Sequence, residues 1–309
     1  MNENLINVKK NHIDSLIIYS KGKGILYKET NEDLINVRSI AKFVTSLACG
    51  ILIDKSDGNF NENTLIYDIL KDKITISNTK NIEKLKDIRV RDCLTHTMGY
   101  RDIILMSKDI ANINKYNLLD YALSYPIYFK PGQKFLYSNA GYYVLAVTMQ
   151  EYLGYDLYTF IDENIFSKID IKTPRWDYYG KYLAGATKLY LSADDMLKLG
   201  KIIINDGYYE NQKIVSSSWI EKMQANFYKP NKDYENSNIL SDDYYGYSLW
   251  TGKDNIKYAS GTGGQYIIFL KNLGIIIIST NKSDVNKAYL IKKELDEIIK
   301  NLKGEENGL

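Results

Sequence analysis

Residues 37–52 read VRSIAKFVTSLACGIL. The apolar residues of this stretch recur at positions 40, 43, 44, 47, 48, 51 and 52, which is the spacing of a helix with one strongly buried face. Ser39 stands where such a helix would begin, and serine is a preferred N-terminal capping residue. Lys42 follows one turn later on the same face. The stretch therefore predicts either a capped core helix or a serine nucleophile with a lysine beside it.

The nucleophile hypothesis depends on what burial does to a lysine. Desolvation favours the neutral amine, and a neutral amine beside a serine hydroxyl can accept its proton. The same Ser-x-x-Lys spacing also occurs at Ser20–Lys23, Ser77–Lys80 and Ser279–Lys282. Only Ser39 opens an amphipathic helix, so the context selects Ser39 and Lys42 as the candidate pair.

The charge balance of the chain argues against a nucleic-acid partner. Its 309 residues include 40 basic and 38 acidic side chains, a formal charge of +2, with no long run of one sign. Nothing in that balance favours nucleic acid or an anionic membrane surface. A small molecule or a short peptide is the expected partner, and the oligomeric state stays open.

The N-terminal segment predicts a cytoplasmic protein. Its first ten residues are polar, and the first apolar cluster, Leu16–Tyr19, is too short for a signal-peptide core or a membrane-spanning helix. Thiols stay reduced in the cytoplasm, so we expect Cys49 and Cys93 to be free and buried. His12 and His96 are the only histidines and no Cys-x-x-Cys pair occurs, so we expect neither a metal nor a cofactor.

The order of patterns along the chain predicts an α+β fold. Residues 13–29 have the pattern of two short strands around a glycine-containing turn. From 62 to 172 the pattern becomes helical, with polar loops and no clear alternating strand. We therefore expect residues 56–185 to form a mostly helical inserted domain.

Strand patterns return in the last third of the chain. Residues 245–250 and 257–261 are strand-like runs, and residues 265–280 carry a hairpin signal ahead of a final amphipathic helix. Strands at both ends of the chain imply one antiparallel sheet flanked by helices. We assign residues 1–55 and 186–309 to this α/β sheet domain.

Two further motifs combine with Ser39 and Lys42. Tyr137-Ser138-Asn139 follows a Pro-Gly turn and directly precedes an apolar helix, and a glycine-rich stretch at 259–265 reads ASGTGGQ. In this order and rough spacing, the three motifs resemble those of the serine β-lactamase and penicillin-binding-protein superfamily. Residues 90–99, VRDCLTHTMG, are similar to a segment of its class C-like branch.

Within that branch, the pattern Trp-Asp-x-x-Gly at 176–180 and the stretch YASGTGGQ at 258–265 look most similar to 6-aminohexanoate-dimer hydrolases and related esterases or amidases. The resemblance covers nearly all of residues 14–285. It implies a β-lactamase-like fold with a serine nucleophile.

The resemblance also implies a role for each motif residue. Ser39 would attack a carbonyl, Lys42 would take or relay the serine proton, and Tyr137 would act as partner base and then as acid to the leaving group. Asn139 would orient Lys42 or the substrate amide. Whether Lys42 or Tyr137 takes the first proton stays open at this point.

The same resemblance places an oxyanion hole and a substrate cleft. The backbone N–H groups of Ser39 and Thr262 are the candidate oxyanion donors, and the motif glycines would leave the strand edge open to substrate. Trp176 would either line the cleft or pack in the core, while His96 and Trp250 are expected to be structural. The further candidate substrate-site residues are Ser260, Gly261 and Gly263.

Ala259 stands where the third motif of the branch usually has lysine or histidine, so a cation that would hold a β-lactam or peptide carboxylate is missing. We therefore expect a cytoplasmic serine hydrolase that cleaves a small amide or ester through an acyl-enzyme on Ser39. The alternatives are a true β-lactamase or D-amino-acid peptidase, and a non-turnover acyl-binding or sensor protein of the same fold.

Overall fold

A seven-stranded antiparallel sheet is the central element of the computed structural model, which describes residues 12–31, 33–231, 237–282 and 287–306. The strands are β1 (Ser15–Ser20), β2 (Gly24–Glu29), β3 (Ile35–Asn36), β4 (Arg175–Trp176), β5 (Tyr178–Tyr179), β6 (Tyr182–Leu183), β7 (Leu189–Leu191), β8 (Tyr208–Tyr209), β9 (Gln212–Lys213), β10 (Tyr244–Tyr245), β11 (Trp250–Thr251), β12 (Lys257–Gly261), β13 (Gln265–Leu270) and β14 (Ile275–Thr280). The α-helices are α1 (Ala41–Lys55), α2 (Ile66–Leu70), α3 (Ile82–Leu85), α4 (Val90–Leu94), α5 (Ser107–Ile110), α6 (Leu118–Ser124), α7 (Ala140–Leu153), α8 (Leu157–Ile161), α9 (Ala193–Ile204), α10 (Ser217–Met223) and α11 (Ala288–Glu306).

Strands from both ends of the chain meet in the main sheet, whose order is β10–β11–β12–β13–β14–β1–β2. Strand β1 pairs antiparallel with β14, with Ser15 opposite Thr280 and Ser20 opposite Ile275. The tight turn between β1 and β2 contains Gly22, whose positive φ of 91° suits a glycine. The predicted sheet and both predicted hairpins are confirmed, and the fold is an α+β fold.

Helices cover both faces of this sheet. Along β14, Ile276 and Ile278 join the cluster of buried residues that contains α1, α7 and α9. Ile275 and Ile277 point to the opposite face and pack with the apolar residues of α11. The run of four isoleucines therefore has no polar alternation, because each face of the strand is buried. Among the described residues, no helix has the length and apolar character needed to cross a membrane.

Helix α1 is buried around its whole circumference from residue 41 to residue 52, although its sequence predicts one buried face. The polar residues expected to face solvent are instead bonded to backbone carbonyls, because the helix lies between the sheet and the helical segment. Thr45 Oγ1 donates to Gly185 O at 2.7 Å, and Ser46 Oγ donates to Tyr247 O at 3.2 Å. The predicted capping role of Ser39 is wrong: α1 begins at Ala41, and its N-cap residue is Ile40.

The middle of the chain contains α2 to α8, as the helical pattern predicts, followed by the short strands β4 to β7. The domain boundaries at 55/56 and 185/186 stay predictions. One predicted strand is wrong. The run at 245–250 is divided between β10 and β11, because Ser248 takes a positive φ of 79° and turns the chain back.

The two cysteines lie in the core. Cys49 and Cys93 are both buried free thiols, as predicted. Burial is the largest of the effects that raise the pKa of each thiol. Both side chains therefore behave as small apolar residues within the same buried cluster.

We predict opposite effects of alanine at two helical glycines. A Cβ at Gly50 would overlap the indole ring of Trp219, whereas a Cβ at Gly304 meets no atom within 4 Å. We expect Gly50→Ala to lower the free energy of unfolding by ~1–3 kcal/mol through overpacking. The control Gly304→Ala should raise it, by at most ~1 kcal/mol, because alanine favours the helix. Urea unfolding followed by circular dichroism measures both, and equal effects would contradict the packing argument.

Candidate active site

The amine of Lys42 lies at the centre of the candidate site. The side chain is only 1% exposed. Its Nζ lies 3.1 Å from Ser39 Oγ, 2.8 Å from Asn139 Oδ1 and 3.1 Å from the Ala186 carbonyl oxygen. Lys42, a predicted base, therefore contacts both the predicted nucleophile Ser39 and the predicted asparagine Asn139.

Burial without a counter-ion changes the protonation of this amine. Within the described ranges, no carboxylate forms an ion pair with Lys42, and its oxygen partners are neutral. Burial lowers the pKa of Lys42 from its usual value to about 7. A large share of the molecules therefore carries a neutral amine at neutral pH.

Asn139 is held in one orientation by a second backbone contact. Its Nδ2 donates to the Leu105 carbonyl at 2.9 Å, which directs Oδ1 toward Lys42. The side chain is 6% exposed, so the amide belongs to the buried layer beneath Ser39. Asn139 therefore contacts Lys42 directly, which is one of the two roles that the sequence left open.

Tyr137 provides a hydroxyl on the other side of Ser39. Its ring packs against His96 and Trp250, with centroid distances of 4.5 and 5.3 Å. The Ser39 side chain interacts with this hydroxyl and lowers the pKa of the phenol, but by less than burial raises it. Burial, with a smaller contribution from the charge of Asp242, raises the pKa of Tyr137 to about 12. The phenol therefore stays protonated across the ordinary pH range.

The glycine-rich strand β12 approaches the backbone just before Ser39. A Cβ at Gly261 would overlap the carbonyl oxygen of Val37, so only glycine allows the two segments to come this close. At Gly264, which has a φ of +100°, a Cβ would overlap Ile291 of α11. Both glycines thus face protein atoms. Close packing therefore explains these two glycines, and the expectation that the motif glycines keep the strand edge open to substrate stays a prediction.

A cavity of about 310 Å³ lies between Ser39, Tyr137 and the turn after β12. Thr262 is exposed at that turn, beside Ser260 and Gly261. Four of the five predicted substrate-site residues therefore line one cavity together with the candidate nucleophile. The lining residues are Ser39, Tyr137, Pro230, Asp242, Trp250, Ser260, Gly261, Thr262, Gly263, Gly264, Tyr266 and Ala288.

The two candidate tryptophans lie in different environments, one buried and one at the cavity wall. Trp176 is not among the residues lining this cavity; it is buried, and its Nε1 donates to the Thr187 carbonyl at 2.9 Å. This geometry favours the packing alternative for Trp176. Trp250, expected in the sheet core, lies at the cavity wall against Tyr137 because β11 is next to β12 in the sheet.

His96 supports the aromatic wall behind Tyr137. Its Nε2 lies 3.2 Å from the hydroxyl oxygen of Tyr245, and its ring is tilted by 48° against that of Tyr137. Burial, and then the charge of Lys42, holds the pKa of His96 well below its ordinary range. The imidazole is therefore neutral, and its position is consistent with the structural role expected from the sequence.

Sequence reasoning missed the backbone acceptors of the site. The carbonyl oxygens of Ala186 and Leu105 complete the contacts of Lys42 and Asn139. Segment 186–189 is held beside Ser39 because Val37 N–H donates to the Leu189 carbonyl at 2.9 Å. Backbone carbonyls are present at every residue, so no sequence signal marks these two. Asp242 was not identified from the sequence either, because it belongs to none of the three motifs.

Several solved structures share this fold. A putative β-lactamase from Bacteroides dorei matches with a TM-score of 0.72 and 17% identity, over 93% of each chain. A putative 6-aminohexanoate-dimer hydrolase from Bacillus anthracis gives 0.69 and 17%, over 94% of this chain and 80% of that one. The D-amino acid amidase of Ochrobactrum anthropi, complexed with L-phenylalanine amide, gives 0.70 and 14%, over 98% of each.

The sequence itself matches a family model. The model is that of the Beta-lactamase family, and the match runs from residue 14 to residue 297. This range includes all three motifs and every residue described at the cavity, and it confirms the resemblance drawn from the motifs. The chain belongs to the Beta-lactamase family.

Proposed function

We propose that this protein is a serine hydrolase that cleaves a small amide or ester through an acyl-enzyme on Ser39. The observation that carries the proposal is the set of partners around Lys42 Nζ. Two of them, Asn139 Oδ1 and the Ala186 carbonyl, can only accept hydrogen bonds. The third, the Ser39 hydroxyl, can also donate.

A neutral amine has two N–H donors and one lone pair. In that state both donors of Lys42 are taken by Asn139 and Ala186, so the lone pair is left facing the Ser39 hydroxyl at 3.1 Å. This is the arrangement that a general base needs. The pKa of about 7 supports Lys42, rather than Tyr137 with its pKa of about 12, as the acceptor of the first proton.

The proposed acylation step conserves protons. Ser39 Oγ forms a bond to the substrate carbonyl carbon while its proton passes to Lys42 Nζ. Tyr137 donates its hydroxyl proton to the departing nitrogen or oxygen as the old bond breaks. The proton that Lys42 took from Ser39 then passes to the Tyr137 phenolate, whose ring centroid lies 4.9 Å from Lys42 Nζ, and this leaves the amine neutral for deacylation. Water then cleaves the new ester, with its proton taken by the same base and returned to Ser39.

The oxyanion of the tetrahedral intermediate needs hydrogen-bond donors close to Ser39. We assign this role to the backbone N–H groups of Ser39 and Thr262. The close packing of Gly261 on Val37 supports the assignment, because it fixes the turn containing Thr262 next to the nucleophile. Donors held in advance cost no reorganisation during the reaction.

The walls of the cavity favour an amide or ester over a β-lactam. Ala259 is buried in the core, and no lysine, arginine or histidine belongs to the described lining residues. A β-lactam carries a carboxylate that would lack a partner there. The names of two structural neighbours, a 6-aminohexanoate-dimer hydrolase and a D-amino acid amidase, agree with amide chemistry.

Replacing the nucleophile should abolish the reaction. We expect Ser39→Ala to lose release of p-nitrophenol from a short-chain ester and to lose the fluorophosphonate adduct detected by intact-mass spectrometry. The matched control is Ser46→Ala, because Ser46 lies in the adjoining helix α1 and its hydroxyl donates only to Tyr247 O, away from Lys42. Retained ester release in Ser39→Ala would contradict the proposal. A stable acyl adduct without release in the wild type would favour an acyl-binding protein, and a penicillin that is turned over would favour a β-lactamase.

The rate should depend on the protonation of Lys42. Below its pKa of about 7 the amine is protonated and cannot accept the serine proton, so kcat/KM should fall about tenfold per pH unit. Above about pH 7 it should level off, because Tyr137 stays protonated. Ester hydrolysis measured from pH 5 to 9 and corrected for the spontaneous reaction tests this. A flat profile, or a rate that falls with rising pH, would argue against Lys42 as the base.

Arginine cannot replace this lysine. A guanidinium keeps its proton over the whole accessible pH range, so Lys42→Arg should lose activity by about a hundredfold or more. Lys55→Arg, at the exposed C-terminal end of the same helix, is the control and should behave like the wild type. Near-normal kcat/KM in Lys42→Arg would mean that Lys42 is structural only.

A further inference from the structure

Asp242 is the only residue with a formally charged side chain among the described residues that line the cavity. It lies on the same wall as Tyr137 and Tyr266, and its charge contributes to raising the pKa of both phenols, after burial. A carboxylate beside the candidate nucleophile is not needed by the proposed acyl transfer. Its position therefore calls for a separate explanation.

The carboxylate is fixed by contacts from two elements. Tyr258 of β12 makes two hydrogen bonds to Asp242. Its hydroxyl oxygen accepts from the Asp242 N–H at 2.8 Å, and its hydroxyl donates to Oδ1 at 2.6 Å. Lys292 of α11 donates to Oδ2 at 3.1 Å. Asp242 has a positive φ of 55°, a conformation that aspartate adopts more readily than most non-glycine residues. The group is therefore held in one position before any ligand arrives.

These contacts leave capacity for another donor. Each oxygen of an ionised carboxylate can accept two hydrogen bonds, and one each is taken by Tyr258 and Lys292. The Lys292 ammonium offsets part of the negative charge, but Lys292 is not among the lining residues, whereas Asp242 is. The cavity therefore faces the negative member of the pair.

Aromatic rings form much of the remaining wall. Tyr137, Trp250 and Tyr266 all line the cavity. The faces of such rings carry partial negative charge and attract cations. A carboxylate and three rings, with no cationic side chain among the described lining residues, make a surface complementary to a positively charged group.

We propose that Asp242 is a specificity-determining residue that binds an ammonium group of the substrate. The substrate class is then an amide or ester that carries a positively charged nitrogen near the scissile carbonyl, as in amino-acid amides or choline-type esters. This inference rests on the proposed acyl transfer at Ser39. It adds the electrostatic character of the substrate, which the acyl-enzyme mechanism leaves undefined.

Two pairs of isosteric substrates test the charge alone. In the first pair, alanine p-nitroanilide carries an ammonium group on the acyl side where isobutyryl p-nitroanilide carries a methyl group. In the second pair, acetylcholine has a positively charged nitrogen in its leaving group where 3,3-dimethylbutyl acetate has a neutral carbon. For each pair, the ratio of kcat/KM for the cationic over the neutral compound is measured in the wild type and in variants. Comparing ratios between proteins cancels the intrinsic reactivity of the compounds.

In Asp242→Asn, the ratio should fall about tenfold or more for at least one pair, because the charged acceptor is lost. In Lys292→Met the ratio for that pair should rise, because the offsetting charge is removed while Tyr258 still holds the carboxylate. The matched control is Asp243→Asn, whose carboxylate is not among the lining groups and which should keep the wild-type ratio. The pair that responds also locates the ammonium on one side of the scissile bond.

The possible failures are distinguishable. Wild-type protein that hydrolyses these compounds through Ser39, with ratios unchanged in Asp242→Asn, would overturn the ammonium site and leave the proposed hydrolysis intact. A ratio that falls in Lys292→Met would also overturn it. A protein that releases p-nitrophenol from a short-chain ester through Ser39 but hydrolyses neither cationic compound would likewise overturn the ammonium site. Hydrolysis that persists in Ser39→Ala would instead contradict the proposed function itself.

Discussion

The amine of Lys42 is buried among oxygen acceptors without a carboxylate partner, and the remaining geometry of the site follows from this. A lysine is unfavourable in such a place unless it gives up its proton, so the surrounding fold must supply the free energy that keeps it there. That support comes from the burial of residues 41–52 of α1 between the sheet and the helical segment. A fixed asparagine and a backbone carbonyl then determine where the lone pair points.

The second constraint is the close contact between the sheet and the turn that carries Ser39. Gly261 allows β12 to pack on the Val37 carbonyl, and the small sheet of β3, β7 and β4 holds the Ala186 carbonyl on the other side. The candidate nucleophile is thus held between two sheets and one helix. Rigid elements on three sides explain how side chains far apart in sequence keep hydrogen-bond distances to one another.

The sequence was informative where spacing and residue type carry the chemistry. Ser39, Lys42, Tyr137 and Asn139 could be identified from three motifs in order, and the sheet from strand patterns at both ends of the chain. The burial of the polar face of α1 could not be predicted, because Thr45 and similar residues are bonded to carbonyls that only the tertiary structure brings near. The backbone acceptor of Lys42, the Ala186 carbonyl, could not be predicted for the same reason. The cavity positions of Trp250 and Asp242 depend on strand order, which local patterns do not encode.

The pairing of β1 with β14 has a consequence for how the protein is made. The hairpin of β1 and β2 is synthesised before β14, the strand that covers the other edge of β1 and follows about 260 residues later. Until then the nascent chain presents an unpaired, apolar strand edge, which is prone to join other chains. Likewise, the segment that carries Ser39 lacks its contact with Gly261 until β12 has been synthesised. The site therefore cannot assemble during synthesis until β12 and β14 have emerged.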